Sequence, residues 1–296
     1  KGAANAVIKP AETARGIGTG LKRFGTNLGR RSKRAVDEAL DDDPEATEAE
    51  KAAQHDAGTS AAYAVLGVNS AVRKWAAKVQ VDPYTTNLTL KQALESVAKV
   101  DAAGSLTTRF AVPLPPLVGE AATVGNLVWT TDPESLRKMN EARARELGVP
   151  DDIAKKFFLN NRLTLTMQTR LLGALHAVRP VNAADFIETA IGARNEQEAL
   201  FFIRSAEMLK ALHASSPVRA ILTDSRTMVA VTRSGEGVAL LPLDWLRETR
   251  TAVATVTELA ERTRRELGAT SLLMQTDATI TPRARTAFAA AGWKMP

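Results

Sequence analysis

Three aspartates near the C-terminus, Asp224, Asp244 and Asp277, are the carboxylates whose positions best suit ligand chemistry. Asp277 follows a short apolar segment that we predict to be a strand, and ligands bind at the carboxyl ends of strands in α/β sheets. If the fold brings the three side chains together, they form the acidic site of a ligand-binding protein or a hydrolase. Roles in turns and helix caps are the simpler interpretation of the same residues.

The other residue types that carry enzyme chemistry show no catalytic spacing. None of His55, His176 and His213 has a partner at metal-ligand spacing such as HExxH, and the chain contains no cysteine to act as ligand or nucleophile. No GxSxG or Walker A motif is present, and the alternating glycines of residues 16–20 follow no predicted strand. We therefore expect no metal and no cofactor, and a non-enzymatic protein is our main interpretation.

The net charge of +6 hides two opposed blocks near the N-terminus. Residues 1–36 hold nine Lys or Arg against one acid, which gives +8, whereas residues 37–50 hold eight acids and no base, which gives −8. The strongest basic block is therefore local and lies beside an acidic segment of equal size. This arrangement argues against nucleic acid as a partner, and we expect none.

Residues 1–40 form a basic, glycine-rich arm with the pattern of an amphipathic helix. Its apolar stripe is Ile17, Leu21, Phe24 and Leu28, and the cations beside the stripe include Lys22, Arg23, Arg30 and Arg31. Such a helix can bind a protein partner or lie on an anionic membrane surface, where each cation contributes about 1 kcal/mol. The arm's glycines each weaken a helix by up to about 1 kcal/mol, and this favours a solvated arm.

Two further segments interrupt the helical pattern. Residues 41–60 are acidic and lack an apolar row, so we predict a linker that marks a domain boundary. Residues 112–129 are apolar and rich in Pro and Gly, and their prolines exclude a regular helix at the start. This second segment either packs in the core or exposes an apolar patch to a partner, formed by Leu114, Leu117, Val118 and Trp129.

The segment of residues 166–213 shows apolar residues at helical spacing through three consecutive helices. Pro180 ends the first helix because it lacks a donor. Asn182 can cap the second helix, Gly192 ends it, and Asn195 opens the third. The short connections predict that the three helices pack side by side as antiparallel neighbours, in a bundle or a short helical-repeat-like core.

After Pro217 the period of the apolar residues changes from about 3.6 to 2, which predicts strands. A turn at residues 234–237 marks a hairpin, and a long helix ended by Gly268 follows it. The remaining elements are a strand at residues 271–275, a helix opened by Thr281 and Pro282, and a strand at residues 292–295. This order of strand, helix and strand is the pattern of a βαβ unit.

The predicted fold class is α+β and mainly α. We divide the chain into the arm, the linker, a helical domain of residues 61–216 and a small α/β domain of residues 217–296. Within the helical domain we also predict helices over residues 62–80, 88–103, 134–147 and from residue 150 onward.

Three short motifs resemble a family of uncharacterised bacterial proteins of unknown function. They are VDPYTTN at residues 81–87, NLVW at residues 126–129, and TPRAR at residues 281–285 followed by Gly292 and Trp293. The resemblance covers most of residues 65–296 and implies export to the periplasm or cell envelope, with the cytoplasm as the alternative. It carries over no catalytic residue.

These observations predict a non-enzymatic helical scaffold or accessory subunit of the bacterial envelope that acts through protein–protein contacts. The first alternative is a peripheral membrane protein attached through its basic arm. The second alternative is a ligand-binding protein or hydrolase with a site near the C-terminal sheet. A homo-oligomer is compatible with all three.

Overall fold

The computed structural model of the protein describes residues 68–102, 126–224 and 227–295. Contacts within the chain divide it into two units, Lys1–Asp132 and Pro133–Pro296. The predicted arm and linker lie outside the described residues, as do Leu114, Leu117 and Val118 of the predicted partner patch. Over the described residues the fold is α+β and mainly α, as the sequence predicts.

The described part of the first unit centres on two packed helices, α1 (Val68–Lys78) and α2 (Leu88–Ala102). Both were expected from their apolar spacing. The side chain of Asn87 caps α2, since its Oδ1 accepts a hydrogen bond from the N–H of Leu90 at 3.1 Å. Val68, Ala71 and Ala98 form a small buried cluster, so small side chains let the two helices approach closely.

Five helices open the described second unit: α3 (Pro133–Glu146), α4 (Asp151–Leu159), α5 (Leu165–Val178), α6 (Ala183–Ile191) and α7 (Glu196–Ser215). Local signals set their ends. The side chains of Thr164 and Asn195 accept hydrogen bonds from the N–H groups of Met167 and Glu198, at 3.2 and 2.9 Å, and so cap α5 and α7. Helix α5 ends before Pro180, as predicted.

The middle helix of the predicted side-by-side stack departs from the prediction. Helix α5 packs mainly against α3 and α7, whereas α6 packs mainly against α4 and the first strand of the sheet and meets α7 through Phe186 and Phe202. Asn182 precedes α6 but makes no capping hydrogen bond through its side chain. Its Nδ2 instead donates to the carbonyl of Ile221 at 3.2 Å, because the segment before α6 lies along the edge of the sheet.

The strands begin after Pro217, where the sequence predicts the change of period: β1 (Val218–Asp224), β2 (Thr227–Thr232), β3 (Glu236–Leu240), β4 (Trp245–Leu246), β5 (Ser271–Gln275) and β6 (Thr279–Ile280). Helix α8 (Arg250–Leu267) connects β4 to β5, and α9 (Pro282–Ala290) follows β6. The main sheet has the order β1-β2-β3-β5, antiparallel except for the parallel pair β3/β5. Strands β4 and β6 form a separate parallel pair. The predicted hairpin is confirmed as β2/β3.

Both faces of the main sheet are covered, as alternation along the strands requires. Ile221, Met228 and Val238 belong to the buried cluster that includes helices α5, α6 and α7. Val229 and Ala239, one position away, belong to the cluster under α8 and α9. The predicted division at residue 217 therefore falls inside a unit whose helices and sheet share one core. None of the described helices combines the length and the apolar character needed to cross a membrane.

Each outer edge of the main sheet is partly covered. Val181 forms a parallel bridge with Ala220 at the β1 edge, and Lys294 forms one with Leu273 at the β5 edge. The strand predicted at residues 292–295 is thus reduced to a single bridge, with the parallel direction that a βαβ unit requires. Such coverage hides backbone groups that would otherwise pair with another chain.

Candidate functional site

Asp224 is the last residue of β1, and Asp244 and Asp277 follow β3 and β5, which run in the same direction as β1. The segments after β3 and β5 lie side by side, because the N–H of Thr279 donates to the carbonyl of Asp244 at 2.9 Å. Asp244 and Asp277 are exposed, whereas Asp224 forms an ion pair with Arg262 at 3.2 Å. Among the described residues no three His, Cys, Asp or Glu side chains are grouped so that they could hold a metal ion. The three carboxylates therefore do not form a metal site.

The ion pair of Asp224 belongs to a local charge network on α8. Arg262 also binds Glu266, with its Nε 2.9 Å from Oε1, and both carboxylates raise the pKa of the guanidinium, Glu266 most of all. A carboxylate held by an arginine in this way joins α8 to β1. We therefore interpret Asp224 as a structural residue.

His213 joins α7 to the sheet. Its Nδ1 accepts a hydrogen bond from the N–H of Val218 at 3.0 Å, at the first residue of β1. His55 lies outside the described residues.

His176 belongs to a polar cluster where α3 and α5 end. The Oε2 of Glu146 lies 2.7 Å from the Nε2 of His176 and 2.8 Å from a terminal nitrogen of Arg179. The hydrogen bond from His176 lowers the pKa of Glu146, and the positive charges of Arg179 and Arg143 lower it further. Cations near the C-termini of helices also offset the helix dipoles, so the cluster stabilises the junction of α3 and α5.

We predict that Glu146→Gln destabilises the protein in a pH-dependent way. The pKa of Glu146 is lower in the folded state than its ordinary value of 4.5, so its contribution is present above that value and is lost as the pH falls through the folded pKa. The unfolding temperatures of the two proteins should differ at pH 7 and converge in acid. A gap of constant size from pH 7 to pH 3 would contradict the assignment.

An exposed tryptophan lies on the small sheet formed by β4 and β6. Leu246 and Ile280 pack against the cluster under α8 and α9, so the alternate positions, Trp245 and its paired residue Thr279, face outward. Trp245 is 64% exposed, and Leu243 beside it is 36% exposed. The indole ring of Trp245 is therefore exposed to solvent on a strand pair whose other side packs against the core.

Charged residues of both signs lie within a few positions of Trp245 or of its paired residue Thr279 in the chain. Glu248 accepts a hydrogen bond from the Oγ1 of Thr281 at 2.6 Å, and this bond is the main reason why the pKa of Glu248 is lowered. Arg283 and Arg247 lower it further through their charges. Asp244 and Asp277, which precede β4 and β6 in the chain, are exposed carboxylates. An aromatic centre with a polar, charged rim is the arrangement typical of a protein interface.

The predicted partner patch has one described residue, Trp129. It is half-buried in the first unit, where its Nε1–H donates to the carbonyl of Val81 at 3.0 Å. This hydrogen bond indicates that the indole of Trp129 packs within the first unit. The sequence analysis did not identify Trp245. The signal that could have identified it is the position of an aromatic residue between a predicted strand and a predicted helix.

No family model, curated protein or solved structure matches this chain. The resemblance to a bacterial family therefore stays a prediction, and no functional residue is transferred from another protein.

Proposed function

We propose that the protein is a non-enzymatic scaffold or accessory subunit that acts through contact with a protein partner, and that the surface around Trp245 is the contact. The exposure of this side chain, 64%, is the observation that carries the proposal. Location in the bacterial envelope is part of the same proposal and rests on the motifs at residues 81–87, 126–129 and 281–285.

The exposed indole ring of Trp245 offers apolar area that a partner can cover. Covering the exposed part of a tryptophan contributes up to about 3 kcal/mol to binding, and tryptophan and arginine dominate the residues that carry binding energy at protein interfaces. Because β4 pairs with β6, the backbone at Trp245 is already ordered, and only the side chain loses conformational freedom when a partner covers it. The mixed charges of Asp244, Asp277 and Arg247 favour a protein partner over an anionic bilayer at this surface, since carboxylates are repelled by anionic lipids.

The proposal predicts that Trp245→Ala weakens partner binding without unfolding the protein. A photo-cross-linking amino acid at Thr279, next to the indole, first captures the partner in cells. Binding of the purified partner to the wild-type and Trp245→Ala proteins is then compared, and we expect a loss of about tenfold or more.

Leu159 provides a matched control, since it is 73% exposed on α4. Leu159→Ala should leave the affinity unchanged, and both variants should unfold at the wild-type temperature. Equal affinities of the Trp245→Ala and wild-type proteins would reject the surface as the contact. Deletion of residues 1–40 in the same assay tests whether the arm contributes.

A further inference from the structure

A hollow of about 610 Å³ lies between the end of α9 and the last described residues. Its lining is formed by Arg285, Ala289, Gly292, Trp293, Lys294 and Met295. The hollow is shallow and open to solvent. The hollow belongs to the second unit and does not include the surface around Trp245.

The chain after α9 is held rigidly where it forms this hollow. Gly292 has a φ of 91°, a left-handed conformation that suits glycine, and it lets the chain turn sharply after the helix. Trp293 is buried, and its Nε1–H donates to the carbonyl of Val256 at 2.9 Å. Lys294 pairs through its backbone with β5, at 2.9 Å to Leu272 and 2.8 Å to Met274. With Trp293 directed inward, its neighbours Gly292 and Lys294 line the open side.

Two cations line the hollow and a third lies beside it. Arg285 on α9 and Lys294 after the turn are lining residues, whereas the guanidinium of Arg264 on α8 lies next to the lining residue Gly292, close to where a β-carbon would be. Elsewhere on α8, Arg262 and Arg265 are paired with a carboxylate. Within the described part of the chain, by contrast, neither Arg264 nor Lys294 forms an ion pair. The positive charge of these two side chains is therefore available to a ligand.

From this geometry we propose that the hollow binds the phosphate group of a phosphomonoester. A guanidinium presents parallel N–H donors that match phosphate oxygens, and a lysine adds a mobile point charge. The two unpaired cations match the charge of a phosphate dianion better than the charge of a singly charged carboxylate. Ala289 and Met295 supply apolar surface for the organic part of the ligand. This site is independent of the proposed protein contact.

Inorganic phosphate and phenyl phosphate are the probes, titrated at constant ionic strength into the whole chain with amide NMR detection. We expect chemical-shift changes concentrated in residues 285–295, and tighter binding of phenyl phosphate by about threefold or more because its ring meets the apolar wall. Changes spread evenly over the protein, or equal affinity for the two probes, would overturn the assignment.

The double variant Arg264→Gln, Lys294→Gln removes the two unpaired cations, and we expect a loss of affinity of about tenfold or more. The control is Lys155→Gln, Arg204→Gln, which changes the net charge equally at exposed positions on α4 and α7. The unfolding temperature of each double variant confirms that it is folded. Equal losses in the two double variants would mean unspecific attraction and would reject the site.

Discussion

Phe202→Ala should lower the free energy of unfolding of residues 133–295 by about 3–5 kcal/mol, the usual cost of removing a buried phenyl ring. Phe202 lies on α7 and is 1% exposed. Its ring makes edge contacts with Phe186 on α6, at a centroid distance of 5.6 Å, and with Phe201 at 5.8 Å. The substitution therefore leaves a cavity where two helices meet and also removes two aromatic contacts. Urea denaturation followed by circular dichroism measures the loss.

The same variant tests whether the helices and the sheet unfold together. Phe202 belongs to the cluster that contains Ile221 and Met228 of the sheet, so loss of the helical packing exposes one face of β1 and β2. We expect the protection of the Val229 and Val231 amides from hydrogen exchange to fall with that of α7. If these amides kept their wild-type protection in Phe202→Ala, residues 217–296 would fold independently, as the predicted division at residue 217 requires.

Phe201→Ala is the matched control for this experiment. Phe201 is the same residue type, adjacent in the chain, and only partly buried at the edge of the same cluster. Phe201→Ala should lower the free energy of unfolding by about 1–2 kcal/mol. The loss is smaller than for Phe202→Ala because less apolar area is buried at this position and solvent can fill the gap. Similar losses in the two variants would contradict the central position assigned to Phe202.

The parts of the fold that follow from local chemistry were predictable from the sequence. The ends of α5 and α7 are set by Thr164, Pro180 and Asn195, all within a few residues of the helix they bound. The hairpin β2/β3 needs only a turn between two segments of apolar alternation. These signals are short in range, as is the change in apolar period that correctly placed the first strand after Pro217.

The features that sequence reasoning missed depend on residues far apart in the chain. Asn182 resembles a helix cap, but its amide bonds to Ile221, and only the packing of α6 against β1 brings the two together. Trp245 faces solvent because β4 pairs with β6, whose residue Thr279 lies 34 positions later. Alternation in a two-residue strand is too short to predict which side chain faces outward.

The candidate sites show the same limit. The sequence directed attention to Asp224, Asp244 and Asp277 because aspartates after strands suit ligand chemistry, but it could not show that Arg262 binds the first of them. It also gave no sign that Arg264 lies over Gly292, since these two residues belong to different helix ends. Contacts of this kind require the tertiary fold.

Gly237→Val should destabilise the second unit by about 3 kcal/mol, and Gly237→Ala by about 1–3 kcal/mol, through overpacking. Gly237 is a buried residue of β3. A β-carbon there would lie 2.8 Å from Cδ2 of Leu272, 3.0 Å from Cγ2 of Thr263 and 3.3 Å from the β-carbon of Ala269. Thr263 cannot move easily, because its Oγ1 donates to the carbonyl of Leu259 at 2.6 Å within α8. The helix must therefore shift away from the sheet.

Strand propensity works against this expected result, which makes the experiment decisive. Valine favours strands and glycine weakens them, so the substitution would stabilise β3 if α8 did not pack so closely. The control is Gly173→Ala on α5, where the new β-carbon lies 3.4 Å from a terminal nitrogen of Arg143 and helix propensity gains up to about 1 kcal/mol. Unfolding free energies should thus move in opposite directions in the two alanine variants. If the free energy of unfolding rose in both alanine variants, α8 would lie farther from β3 than the distance between Thr263 and Gly237 indicates.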